Sequence, residues 1–255
     1  MPYQLKGRNV LVTAGSRGLG AAIVRKFAAE GCNIVINYVS NAEAADTLAK
    51  EVSEQYPDLK ILTLRADCGV TSAVDKLVKD SIGALGGLDI VIGNAGWTRF
   101  SDWSDLDAMS EEEWDKCWKT NVLGMKQCLS SALPTFKANP EGGVLIITSS
   151  VAGKTLSGSS MAYSVTKAAQ THLMKCMANT QGPKVRVNAV LPGLMLTEWG
   201  ARFGEDQLNA LKARSALQKE TDIEDCADAY IMLAKNTSMT GQNIIVDSGI
   251  AIQNM

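Results

Sequence analysis

Seven short runs rich in Val and Ile, at 9–13, 33–37, 60–65, 88–92, 143–149, 185–190 and 243–246, are apolar on both sides of a two-residue alternation, which predicts strands buried on both faces. Between them, residues 18–30, 41–56, 71–84, 110–137, 160–180 and 222–235 place apolar side chains at three- and four-residue intervals, the period of a helix resting one face on a core. Strands alternating with helices predict parallel pairing through right-handed crossovers, hence an α/β fold with a doubly wound parallel sheet and helices on both faces. No repeat, low-complexity tract or Pro/Gly-rich linker divides residues 1–255, so a single domain is expected. The alternation breaks once, over 194–215, a stretch read as irregular and as a candidate lid.

Composition narrows the class of partner. The 255 residues are 46% hydrophobic, enough for one sizeable core, and carry 25 basic against 27 acidic residues, a formal net charge of −2 without a basic block. That balance points away from nucleic acid and acidic membrane surfaces and toward a small-molecule partner. Six cysteines, at 32, 68, 117, 128, 176 and 226, have neither disulfide-framework nor zinc-ligand spacing, so a reducing compartment is expected. The chain opens on Met1-Pro2-Tyr3-Gln4-Leu5-Lys6 without a charged leader and apolar run, and no stretch of about 18 apolar residues follows, so the expectation is a cytoplasmic protein without a membrane partner. The only histidine, His172, rules out a histidine-based triad or multi-histidine metal site and is read as a packing residue. No metal is expected.

Against this background one constellation carries chemistry. Tyr163 and Lys167 stand four apart, about one helical turn, so both side chains rise from one helix face, and Ser150 lies thirteen residues upstream. A free tyrosine titrates near ~10, too high for proton transfer at neutral pH. An ammonium about 4 Å away contributes roughly 4 kcal/mol at an effective dielectric near 20, or about 3 pKa units before desolvation subtracts from it. Tyr56 and Lys60 repeat the spacing, but Pro57 disfavours a helix there and Glu43 stands where the serine would be. A second pattern joins the first strand to the first helix: Thr13-Ala14-Gly15-Ser16-Arg17-Gly18-Leu19-Gly20, a glycine-rich turn ending on a helix N-terminus, where backbone N–H groups and a positive dipole end hold a pyrophosphate.

Together these motifs resemble the short-chain dehydrogenase/reductase family along essentially the whole chain. The family's Thr-Gly-x-x-x-Gly-x-Gly is matched by Thr13, Gly18 and Gly20, with Ala14 in place of the first glycine and Gly15 expected to take over the turn. Its Asn-Asn-Ala-Gly appears as Gly93-Asn94-Ala95-Gly96, and its catalytic tetrad as Asn121, Ser150, Tyr163 and Lys167. The resemblance implies a Rossmann-like fold in which Tyr163 exchanges a proton with a carbonyl oxygen and Ser150 hydrogen-bonds that oxygen. It further implies that Lys167 lowers the Tyr163 pKa and holds the nicotinamide ribose, that Asn121 anchors a water leading from Lys167 to solvent, and that Ser149 is structural. The implied cofactor lining is Thr13, Gly15, Ser16, Arg17, Gly18, Leu19 and Gly20 in the turn; Asn37, Tyr38, Ser40 and Asn41 after the second strand; Asp67 and Cys68 after the third; Asn94, Ala95 and Gly96 after the fourth; Tyr163 and Lys167; and Pro192, Gly193, Met195 and Thr197 after the sixth.

The second strand ends Val35-Ile36-Asn37-Tyr38 without the carboxylate that binds a ribose 2′-hydroxyl and repels a 2′-phosphate, while Arg17, Ser40 and Asn41 can meet that phosphate. NADP(H) is therefore the expected cofactor, in the direction of carbonyl reduction. All five tryptophans lie between 97 and 199. Trp97, Phe100, Trp103, Trp199 and Phe203 are read with Ser150 as a substrate pocket for a bulky, largely apolar ketone, and Trp114 and Trp118 as core or subunit contacts. A nicotinamide-bound isomerase, dehydratase or cyclase, or an enone or imine reductase, would use the same tetrad and remains an alternative. The resemblance also implies a homotetramer or homodimer built on the helices 110–137 and 160–180.

Overall fold

The runs predicted as strands all pair into one sheet in the computed structural model, which describes residues 3–253. Strands β1 (Asn9–Val12), β2 (Asn33–Tyr38), β3 (Ile61–Arg65), β4 (Ile90–Gly93), β5 (Gly143–Thr148), β6 (Val185–Pro192) and β7 (Asn243–Val246) lie in the order β3-β2-β1-β4-β5-β6-β7, every pair parallel. The two-residue alternation splits the core. Val10, Val12, Ile34, Ile36, Ile90 and Ile92 pack on one face with α1 (Gly18–Ala29) and α8 (Ile223–Lys235), whereas Leu11, Val35, Val91, Leu145 and Ile147 pack on the other with α3 (Thr71–Leu85), α5 (Gly124–Ala138) and α6 (Met161–Gln181). Both faces of the central strands are buried, so β1, β4 and β5 are mostly apolar, whereas the edge strands β3 and β7 are partly exposed.

Several helix starts are written in the sequence as side-chain caps. Asn41 opens α2 (Ala42–Gln55), Ser160 opens α6 and Asp222 opens α8, each accepting from an N–H of its first turn. Ser110 and Glu113 close a capping box on α4 (Glu111–Trp118). The helix expected over 110–137 is interrupted: a π-turn at Lys119–Leu123 separates α4 from α5. The stretch 194–215, read as irregular, holds a 3₁₀ turn (Gly200–Phe203) and the helix α7 (Glu205–Arg214). Polar composition hid the helical period of α7, although Glu205 and Asp206 in its first turn and Lys212 and Arg214 in its last are the charges a helix dipole favours. His172, read as packing, is exposed on α6. Among the described residues no helix is long and apolar enough to cross a membrane.

Sheet order reverses between β1 and β4, and a crevice opens at the carboxyl ends of those strands, the place where a doubly wound sheet leaves room for a ligand. The turn after β1 forms its floor. Ala14, expected to yield its role to Gly15, itself takes the left-handed conformation with φ 48°, and Gly15 stays outside that region. A non-glycine residue there costs about 1–2 kcal/mol, and glycine returns about 0.4–1 kcal/mol of that as unfolded-chain freedom. Ala14→Gly is accordingly expected to stabilise the protein by about 0.5–1 kcal/mol and to raise the thermal midpoint by about 1–4 °C, read by calorimetric melting. An unchanged or lower midpoint would show that Ala14 carries no strain.

Candidate active site

Side chains fasten the crevice floor. The Thr13 hydroxyl donates to the Ile92 carbonyl at 3.1 Å and accepts from the Asn94 and Ala95 N–H groups at 2.8 and 3.0 Å. The Asn94 amide donates to the Thr13 and Ala14 carbonyls at 3.2 and 3.1 Å. Asn37 accepts from the Ala14 N–H at 3.0 Å and donates to the Leu64 and Ala66 carbonyls at 3.2 and 3.1 Å, joining the turn to β3. Gly20 permits the closest approach in this cluster, since a Cβ there would stand 2.3 Å from the Ala14 carbonyl oxygen.

From this floor a cavity of about 650 Å³ runs from the start of α1 to Tyr163. Arg17, Gly18, Leu19, Gly20, Asn94, Gly96, Ser150, Tyr163, Lys167, Pro192, Gly193, Met195 and Thr197 line it as expected, and so do Trp103, Trp199 and Phe203. Other expected residues stand elsewhere. Thr13, Gly15, Asn37, Cys68 and Ala95 are buried beneath the cavity and shape its floor. Tyr38 packs on the core and Asp67 accepts from the Gly69 N–H at 2.8 Å, while Ser40 is exposed; none of the three lines the cavity. Ser16 and Asn41 line a separate shallow hollow beside α2. Trp97 packs with Trp114 and Tyr163 against a satellite cluster of Met109, Cys117 and Ala162, and Phe100 meets Phe203 edge-on at 4.8 Å. Residues absent from the expectation, among them Leu156, Ser157, Gly158, Leu194, Glu198 and Leu211, complete the lining. Their signal was position: 155–159 lies between Ser150 and Tyr163, and its loop is tied to the Trp97–Trp103 side by Trp103 Nε1 donating to the Gly158 carbonyl at 3.2 Å.

Tyr163 and Lys167 do share one face of α6, with the ammonium 5.3 Å from the ring centroid. Lys167 Nζ donates to the Thr148 carbonyl at 2.8 Å, and the Ser149 hydroxyl donates to the Lys167 carbonyl at 2.9 Å, the structural role expected of it. Ser150 accepts from the Ala152 N–H at 3.1 Å at the head of a 3₁₀ turn and reaches the Tyr163 hydroxyl. Burial pushes the phenol up, offset in part by the Ser150 hydrogen bond, and burial pulls Lys167 down to about 7. Where the sequence anticipates a Tyr163 lowered by Lys167, burial is the largest influence on the phenol and holds it above its ordinary value. Asn121, on the π-turn, spends its side chain on the Trp97 backbone (N–H to Oδ1 2.8 Å, Nδ2 to O 3.0 Å) and on Thr166 at 2.9 Å. Its carbonyl accepts from the buried amide of Gln170, which sequence reasoning missed because α6 reads as amphipathic without it.

The Lys167 shift makes a statement about stability. Its folded value lies below the ordinary lysine value of 10.5, so the unfolded chain binds the extra proton between about 7 and 10.5, and stability from this group rises with pH across that window. Below about 7 the cost is present in full. Lys167→Met is therefore expected to melt higher than wild type at pH 6, with the difference shrinking as pH approaches 10; thermal melts across that range check it, and a pH-independent difference would deny that Lys167 is destabilised as a cation.

Comparison with known proteins follows the same outline. The family model for enoyl-(acyl carrier protein) reductase matches residues 13–251. A ketoacyl reductase of the granaticin polyketide synthase from Streptomyces violaceoruber is 34% identical over 241 residues, 94% of each chain, and an NADP-dependent mannitol dehydrogenase of Alternaria alternata is 30% identical over 98% of this chain and 95% of its own. Among solved structures, a short-chain dehydrogenase of Burkholderia cenocepacia in complex with NADP superposes with a TM-score of 0.89 at 28% identity, covering 97% of this chain and 99% of its own. Glycine turn, tetrad, strand order and these relatives agree: the chain belongs to the short-chain dehydrogenase/reductase family.

Proposed function

We propose that the protein is an NADP(H)-dependent oxidoreductase that reduces the carbonyl of a bulky, largely apolar small molecule. The observation that carries this reading is the convergence of Ser150, Tyr163 and Lys167 on one end of a cavity whose other end is an uncapped helix N-terminus with no acid in its first turn. That second end fits a dinucleotide: free N–H groups, a positive dipole end, Gly20 admitting close approach and Arg17 beside it. Relatives described as NADP-dependent or solved with NADP support the phosphorylated form.

When bound, NADPH supplies the hydride. The protein's part is proton management. Tyr163, held as a neutral phenol by burial, gives its proton to the carbonyl oxygen as charge gathers there, and Ser150 donates a hydrogen bond to the same atom. Lys167 steadies the tyrosinate that results. Asn121 is given the water that leads from Lys167 to solvent, and its side chain also holds the Trp97 backbone. The apolar wall of Trp103, Val151, Leu156, Trp199 and Phe203 favours an apolar substrate, and Trp199 leans on Tyr163 at 5.8 Å between centroids. Segment 194–215 serves as the lid.

The symmetric oligomer expected from the family finds apolar side chains to use on α4, α6 and the π-turn between α4 and α5, where Trp118, Val165 and Leu123 remain 42%, 47% and 40% exposed. Trp118→Glu with Val165→Glu should shift light scattering from oligomer to monomer; a wild type already monomeric at micromolar concentration would remove the proposal.

The function itself is tested by loss of NADPH absorbance over a panel of ketones, enones, quinones and imines. Tyr163→Phe should lower kcat by about 10²- to 10⁴-fold and leave NADPH affinity nearly unchanged. Trp199→Ala should cost on the order of 30- to 150-fold in kcat/KM on an apolar ketone. Turnover without stoichiometric NADPH consumption, or Tyr163→Phe retaining more than a few per cent of activity, would refute the reading.

A further inference from the structure

Arg17 and Glu198 are 181 positions apart and meet across the mouth of the cavity, Nη1 to Oε2 at 2.6 Å. Arg17 stands at the N-cap of α1, whose first turn has neither a side-chain cap nor an acidic residue, so the positive end of that helix receives no anion from its own segment. Glu198 brings one from the far wall. Its neighbour holds it there: Thr197 Cγ2 lies 3.3 Å from where a Cβ on Gly18 would be, and the Thr197 hydroxyl accepts from the Gly200 N–H at 3.2 Å. A carboxylate thus sits on the guanidinium that the sequence offers to a 2′-phosphate.

We propose that Glu198 is a selectivity-determining residue of the cofactor site, an internal anion that competes with the 2′-phosphate of NADP(H) for Arg17 and has no hold on NAD(H). The inference rests on the reading of Arg17 as the 2′-phosphate partner. With side chains 58% and 73% exposed, the pair is weak and solvated, and a phosphate dianion displaces it. The displacement still subtracts from the affinity for the phosphorylated cofactor alone, because the carboxylate engages only the residue that distinguishes the two.

Calorimetric titration of the full chain with NADPH, NADH, adenosine 2′,5′-bisphosphate and ADP tests this on wild type, Glu198→Gln, Arg17→Ala and the double variant. Glu198→Gln should tighten NADPH and the 2′,5′-bisphosphate roughly two- to fivefold, leave NADH and ADP unchanged, and have no effect once Arg17 is alanine. An unchanged NADPH-to-NADH affinity ratio in Glu198→Gln, or a tightening that persists without Arg17, overturns the role of Glu198 while the cofactor assignment stands. If Arg17→Ala weakens NADPH no more than NADH, that assignment falls and this inference with it.

Discussion

Where β1 and β4 end, their backbone groups lose the strand partners that satisfied them, and buried amides and carbonyls left alone are costly. The whole site hangs on how that debt is met. Three short polar side chains meet it: Thr13 binds β4 and the turn after it, Asn94 reaches back to the turn after β1, and Asn37 ties that turn to β3. Because each bond crosses between strands far apart in sequence, the turn is fixed before any ligand arrives, and α1 starts at a set height over the sheet. This is also why Thr13 and Asn37 belong to the frame and lie outside the cavity.

Desolvation rules the catalytic end. Tyr163 and Lys167 both lose water, and the neutral form of each gains: the phenol is pushed up and the ammonium pulled down. The protein thereby holds a proton on the group proposed to give it, beside a lysine that burial lowers to about 7. A hydrogen bond between Ser150 and the tyrosine offsets part of the phenol's rise, and Lys167 Nζ donates to the Thr148 carbonyl.

The fold was legible because its central strands are buried on both sides and several of its helices begin on side-chain caps; Ser110, Ser160 and Asp222 mark the starts of α4, α6 and α8 in plain sequence. That Tyr163 and Lys167 share one face was legible because their spacing on one helix fixes it, whereas Ser150 and Asn121, on other elements, were legible only through the family resemblance. What the spacing could not supply was depth: whether Asn37 faced ligand or core, whether Lys167 or Tyr163 would yield to burial, and whether Trp97 and Phe100 would point into the cavity or behind its wall. Nor could it supply contacts across the molecule, such as Arg17 with Glu198 or Gln170 with the Asn121 carbonyl, since neither partner carries a local pattern. Helix α7 escaped for a different reason, its polar face lacking the apolar stripe on which helical periodicity rests.

The π-turn at Lys119–Leu123 amounts to one inserted residue in an otherwise continuous helix. In α5 the buried positions Met125 and Ala132 run seven apart, and carried back another seven they land on Trp118; the structure buries Cys117 there and leaves Trp118 42% exposed. The two halves are out of phase by one residue, roughly 100° of rotation. Removing any single residue from 119–123 would set Cys117 seven before Met125, so a regular helix would keep Cys117 on the buried face; closing the π-turn to a regular turn at full length would instead rotate α4 and drive Trp118 inward. In this segment the width of one helical turn decides, as much as the identity of any side chain, which face of α4 is buried beside the site.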